Sequence, residues 1–437
     1  MKKGCILLLF WLLQACAPTT VDLPVIPTDP PLRLPSSTQT KIPQPNPTAT
    51  RPVLLRPSTT HDIPQAASPH PRSGQLVQIT SIQMFDRQTG WALDAQNRLL
   101  HTVDGGFTWQ DVTPPEGAYN SNGFFALDSN RAWVTFFTGL GQPISAAVVW
   151  YTQDGGINWQ TSQPFPVNLD REGKDVPVDY YQPQNLYFLD SQTGWLLVDV
   201  YYGMHSTRLL LFCSQDGGQT WKVINDHYHD LQKAIGIGVI FIDQKTGWYA
   251  ENDIRFQWMS LRIDDLVAQG GWKLRKTNDG GDSFREFSLL PLPPEMKNPA
   301  FRQKNADCGE TRLLSIVPGT IGVEWTCWIY TEPRQELSFF AISEDAGSSW
   351  HLSPASGNEF FLDAQNGWRL VNRQVQQTFN SGQGWINVKT VAWETAQFDF
   401  VDLSTGWAIV TNGNATALVQ TTDGGKTWQE ITPLVGQ

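Results

Sequence analysis

Cysteine is scarce in this chain, five residues in 437, and none of it falls in a Cys-x-x-Cys pair or a Cys/His spacing of the kind that holds zinc. No elbow motif presents a serine or cysteine nucleophile, and nothing in the sequence calls for a cofactor. Positive charge is in deficit: 31 Lys and Arg face 42 Asp and Glu, leaving a formal net charge of −11. Such a surface repels backbone phosphates and argues against a nucleic-acid partner. The apolar run Ile6 to Leu13 is too short to span a bilayer. From Ala17 to about Ser73 there is no Phe, Tyr or Trp, while about half of the 29 prolines fall there. A stretch of this composition cannot bury enough apolar surface to offset its ordering entropy, which predicts an extended linker.

What is present begins at the amino terminus. Met1-Lys2-Lys3 is a short basic segment, the apolar run follows, and Leu13-Gln14-Ala15-Cys16 closes it. That phrase resembles the lipobox of bacterial lipoproteins. The resemblance implies cleavage before Cys16 and lipidation of its thiol, with further acylation of the new amino terminus. Two or more acyl chains hold a protein firmly at a membrane, whereas one does so only marginally. The expected organisation is therefore a signal over 1–15, a lipidated Cys16 with linker over 16–74, and a folded domain over 75–437. The expected location is extracytoplasmic, on the cell membrane. At ~3.1 Å per residue an extended linker of this kind reaches on the order of 150 Å. Cys308 and Cys327, 19 residues apart, are then candidates for a disulfide, and Cys213 in an apolar run reads as a buried thiol.

The domain repeats itself. Val103-Asp104-Gly105-Gly106-Phe107-Thr108-Trp109 returns around Asp154, Asp216, Asp279, Asp345 and Asp423, with a degenerate copy at Asn380-Ser381-Gly382-Gln383-Gly384-Trp385. Most copies are preceded by an apolar strand, an Asp-x-x-x-Gly turn and a Trp, as in Phe85-Asp86 to Gly90-Trp91 and Leu189-Asp190 to Gly194-Trp195. The fifth repeat keeps only Trp325 or Trp328 in a strand-like run. Period-2 alternation between turn residues predicts four short antiparallel strands per unit, and such units close into a ring. The expected fold is an all-β, seven-bladed β-propeller of four-stranded blades. The six aspartates are expected to accept backbone N–H groups across a tight turn, a structural and not a catalytic task. Either Leu76–Thr80 or Trp428–Thr432 could close the ring, and the sequence does not choose between them.

These phrases resemble the bacterial neuraminidase (BNR, or Asp-box) repeat. Their spacing is most similar to that of the photosystem II assembly and stability factor-like propellers, over about Val77 to Pro433. That resemblance implies a non-enzymatic propeller that helps membrane proteins assemble. The long proline-rich segment and the expanded loops of the second to fifth repeats depart from it, so the scaffolding role carries over and the photosystem does not. The expected partners are a membrane or envelope protein complex and, through the lipid, the membrane itself.

In a propeller the turns joining strands one to two and three to four share one end, and the remaining connections share the other. The Asp boxes and the Asp-x-x-x-Gly turns occupy the first set and are short. The insertions fall in the second: Phe136–Ala146, Pro164–Pro183, Asp199–Thr207, Asn225–Gly236, Asn252–Gly271 and Leu290–Glu310. Tyr180, Tyr181, Tyr201, Tyr202, His205, His227, Tyr228, His229, Phe256 and Trp258 stand in or beside them and are the candidate binding residues. The competing reading is that these aromatics pack their own loops. His205, His227 and His229 beside Asp226 or Asp230 are read as solvated loop residues, and no metal is expected.

Sialidases carry the same boxes, which raises catalysis. That family clamps a substrate carboxylate with three arginines, the first in an Arg-Ile-Pro phrase on the first strand. Gln75 to Met84 holds no arginine, and the phrase is absent from the chain. Other glycosidases need only two carboxylates across a cleft, and Asp170, Glu172, Asp175, Asp264 and Asp265 lie in loops, but nothing pairs them. The chain is expected not to be an enzyme, with a glycan-binding or glycan-cleaving propeller as the alternative.

Overall fold

The structure, a computed structural model, describes residues 74–115, 123–137, 144–167, 180–203, 206–226, 234–253, 261–264, 273–289, 303–317, 320–355 and 358–436, with positions 178 and 298–299 besides. Each repeat becomes one antiparallel sheet, because its strand runs and turn residues alternate at the pitch of a four-stranded meander. In the first blade the strands are Ile79–Met84, Gly90–Asp94, Leu99–Thr102 and Thr108–Asp111, hydrogen-bonded in that order. Six more sheets follow and complete a seven-bladed β-propeller. The innermost strands of the second to seventh blades are Phe124–Ala126, Gln182–Phe188, Ala234–Phe241, Asn305–Val317, Phe360–Phe361 and Thr395–Phe400. The apolar core is divided among seven clusters, each lying between two neighbouring blades.

One device joins blade to blade. The aromatic two residues before the turn aspartate lies over the glycine that opens the next strand. A Cβ on Gly194 would sit 2.6 Å from the Phe188 ring, and one on Gly406 2.4 Å from that of Phe400, so only glycine fits. The same phenylalanine stacks on the tryptophan of the preceding blade: Trp133 on Phe188 at 3.7 Å, Trp195 on Phe241 at 3.6 Å, Trp368 on Phe400 at 3.7 Å. Each of these indoles also donates its Nε1–H to a glycine carbonyl in the next blade's Asp box: Trp133 to Gly217, Trp195 to Gly280 and Trp368 to Gly424. Trp407 donates to Gly105 at 2.9 Å and so links the seventh blade to the first. A stacked ring, a buried area and a hydrogen bond thus act at one interface.

The fifth blade departs from this pattern. Register places Gly322 opposite Ile342, the site that Trp195 holds opposite Cys213 in the third blade. Neither Trp325 nor Trp328 takes the position. Phe340 fills the space instead and stacks on Phe361 at 4.8 Å. Trp248 of the fourth blade has no hydrogen-bond acceptor for its Nε1 among the described residues.

The ring closes without lending a strand from one four-stranded blade to another. Leu434–Val435 adds a fifth strand to the outer edge of the first blade, parallel to Thr108–Asp111. The segment leading into that blade grips it from the other side, with Gly74 N–H donating to Val435 O, Val435 N–H to Gln75 O and Val77 N–H to Pro433 O at 2.7–3.0 Å. Parts of two of the expected insertions are regular structure. The described residues at each end of Asp199–Thr207 continue the ladder of Gly194–Gly203 against Ser206–Ser214. Within the fourth blade's long connection, Leu261–Arg262 pairs with the inner edge of the fifth blade.

Candidate functional site

At one end of the ring the seven boxes commit their polar groups to the turns. Asp104 accepts Thr108 N–H at 2.9 Å and Thr108 Oγ1–H at 2.6 Å. Thr102, two residues upstream, donates to Asp104 and accepts Gly106 N–H at 3.1 Å. Thr152, Ser214, Thr277, Ser343, Thr378 and Thr421 repeat that contact, so the motif begins two residues earlier than its aspartate suggests. Burial alone would raise the Asp104 carboxyl, but the Thr108 and Thr102 hydrogen bonds outweigh it and hold it below the usual range. Asp345 is held down to about 2 by the side chain and backbone of Ser349 and the hydroxyl of Ser343. Carboxylates engaged in this way lack the free lone pairs and the near-neutral pKa that catalysis needs.

The innermost strands leave a cavity of about 470 Å³ at the centre of this same end. It is walled by the strand ends before the turns: Gln83 to Phe85 of blade one, Leu314 and Ile316 of blade five, Glu359 to Leu362 of blade six and Asp399 to Val401 of blade seven. Among the described residues its polar side chains are Gln83, Glu359 and Asp399, and no basic side chain lines it. Asp399 is 8 % exposed. Its Oδ2 accepts the Met84 N–H, a donor on the free inner edge of the neighbouring blade. Burial pushes its carboxyl up to about 7, against the opposing pull of that one hydrogen bond. Glu359 is buried too, with the Arg369 guanidinium exerting its charge on it. Asp399 stands three residues before its turn aspartate. The other repeats with that turn place Gln83, Phe125, Tyr187, Ile240 and Phe360 there, so a lone carboxylate in an apolar register was the available signal.

The insertion-bearing end is where sequence reasoning looked. His205, His227, Tyr228, His229, Phe256 and Trp258 lie outside the described residues, as does Cys16. Tyr201 and Tyr202 stand on the extended hairpin, paired with Arg208 and Thr207. Tyr180 meets Phe137 edge to face at 5.9 Å. Tyr181 must be withdrawn from the binding set. It is 1 % exposed, packs between the second and third blades, and shares a hydrogen bond with Thr135 Oγ1 at 2.9 Å, so it serves the core. Of the two cysteines considered for pairing, Cys327 is disulfide-bonded, and Cys308 is its neighbour in the ladder. One residue beyond it begins a group that the sequence did not single out. Trp328, Tyr330 and Arg334 surround the turn of the fifth blade's hairpin, with the guanidinium 4.9 Å from the Tyr330 ring and 5.9 Å from that of Trp328. Tyr330 is 44 % exposed. Among the described residues no group of His, Cys, Asp and Glu is placed to share a metal ion.

Comparison with known proteins gives one repeat match and several structural likenesses. The family profile described as BNR/Asp-box repeat matches residues 212–223, the third box. No curated protein sequence matches the chain. Among solved structures, YCF48 bound to a D1 peptide is 14% identical and similar over 83% of this chain and 99% of its own, with a TM-score of 0.44. YCF48 from Cyanidioschyzon merolae is 15% identical, over 81% and 97%, with a TM-score of 0.43. The GH74 xyloglucanase from Xanthomonas campestris is 12% identical, over 83% of this chain and 54% of its own, with a TM-score of 0.47. Likenesses at this level assign neither an activity nor a partner. By repeat, turn chemistry and ring, the chain is a seven-bladed β-propeller whose third turn motif matches the BNR/Asp-box repeat.

Proposed function

We propose that the chain is a non-catalytic, extracytoplasmic binding propeller, anchored through lipidated Cys16, that docks a protein of a membrane or envelope complex on its insertion-bearing end. The observation that supports this is the Trp328–Tyr330–Arg334 group. Tryptophan, tyrosine and arginine are the residues enriched where protein interfaces concentrate their energy. A stacked guanidinium keeps its donors in a fixed plane and loses less freedom on binding than a mobile side chain would. The disulfide at Cys327 anchors the strand that carries them. At the opposite end the box carboxylates are occupied by their turns, which leaves them little to offer a substrate.

A crosslinking pull-down from native membranes tests the proposal, with intact protein set against a variant carrying Trp328→Ala, Tyr330→Ala and Arg334→Ala. Capture of the same membrane proteins by the first and their loss from the second is the expected result. Equal capture by both moves the docking surface elsewhere. No capture by either, together with retention of defined oligosaccharides on a glycan array, would replace the protein partner with a glycan.

A further inference from the structure

We propose that the cavity at the box end of the central channel is a second binding site, for a small organic cation: a primary ammonium on an apolar body, held by Asp399. The site is independent of the docking surface, which lies at the other end of the ring. Its volume of about 470 Å³ is within the range of small-molecule pockets and suits a ligand rather than a few waters. Apolar side chains come from Leu314 and Ile316, Phe360 and Leu362, and Phe85 and Val401, with Gln83 and Glu359 beside them on the blade-one and blade-six walls. The blade-seven wall carries Asp399, whose Oδ2 takes the Met84 N–H while Oδ1 receives no hydrogen bond from the described residues.

A carboxyl so placed is costly to ionise, because burial strips its water and one backbone donor replaces little of it. A cation entering the cavity would restore the missing interaction and favour the ionised form. An anion is disfavoured, since two carboxyl groups line the space and, among the described residues, no basic side chain does. A hard metal ion wants six or more oxygen ligands, more than Asp399, Glu359 and Gln83 supply among the aliphatic and aromatic side chains. A free sugar would leave many of its hydroxyls facing carbon. An ammonium with a phenyl or alkyl body satisfies both the charge and the walls. Asp399 also bridges the seventh and first blades, so occupancy of this site would be felt at the seam of the ring.

Isothermal titration of the full-length protein with 2-phenylethylammonium and with its neutral isostere 2-phenylethanol tests this. The ammonium is expected to bind at least tenfold more tightly, and Asp399→Asn to remove that advantage while the alcohol's affinity stays the same. Leu314→Trp fills the cavity from the opposite wall without touching the carboxyl, and it should abolish binding of both probes. It also decides the matter if Asp399→Asn fails to fold. Equal affinity for ammonium and alcohol overturns the proposal, as does binding that survives Leu314→Trp or the absence of binding by either probe.

Discussion

The blade-to-blade tryptophans allow an internally controlled experiment. Trp407 and Trp248 are both fully buried, but only Trp407 has an acceptor, Gly105 O at 2.9 Å. Replacing either by Phe removes the smaller ring and leaves a void of roughly 40 Å³, a loss on the order of 1 kcal/mol that the two variants share. Lys276 lies 5.1 Å from the Trp248 ring and keeps an aromatic face in the variant. Trp407→Phe additionally strands the buried Gly105 carbonyl, which costs about 1–3 kcal/mol more. The expected order is therefore Trp407→Phe well below Trp248→Phe in urea midpoint, with similar slopes. Trp133→Phe, Trp195→Phe and Trp368→Phe should fall with Trp407→Phe, because each also loses a glycine carbonyl. If Trp248→Phe proves as damaging as the others, the hydrogen bond contributes nothing and stacking alone joins the blades.

Asp399 gives stability an unusual pH dependence. Its folded carboxyl sits at about 7 and its unfolded one at about 3.9, so the folded state holds the extra proton between those values. Stability should therefore fall as pH rises from about 4 to 7 and then level off, and Asp399→Asn should flatten that slope and gain up to about 4 kcal/mol at pH 8. A slope unchanged by the substitution would contradict the assignment. The box carboxylates have the opposite sign: held below their usual range, they contribute fully above about pH 4 and lose that contribution as pH falls through their lowered values, which an acid titration by circular dichroism would show. Asp104→Ala should cost about 0.5–1.5 kcal/mol, since the exposed Thr108 N–H can turn to water, and Thr102→Val about 1–3 kcal/mol, since the buried Gly106 N–H cannot; unchanged midpoints would refute the turn chemistry. Deleting 433–437 removes the closing strand and should lower the urea midpoint by about 2–5 kcal/mol equivalent, with hydrogen exchange rising first at Thr108 and Trp109.

The blade count, the strand order and the boxes were legible because each is written within a single repeat. Trp195 and its glycine were visible for the same reason. What Trp195 does was not, since its stacking partner Phe241 and its acceptor Gly280 belong to the following repeat. Ring closure was ambiguous because Leu434–Val435 is too short to announce itself as a strand and pairs with residues more than 300 positions away. Tyr181 looked like surface because it follows a long insertion, and no local pattern says that its ring turns inward toward Thr135. Asp399 and Glu359 line one cavity only after the ring has formed. Their clue, a charge at an apolar register, emerges when the repeats are aligned on their turns.

The clasp at Gly74 also determines how the domain bears a load. Gly74, Gln75 and Val77, the first of the described residues, bond to 433–435, and those residues bond in turn to the edge of the first blade. Under the proposed anchorage, tension between cell surface and partner would reach the propeller at this point. Bonds that share a pull along the strand direction yield together, whereas bonds met one at a time unzip. Drag on a docked partner would then test the barrier to opening the ring, a rate and not an equilibrium. The carboxyl terminus would be the part that slips first.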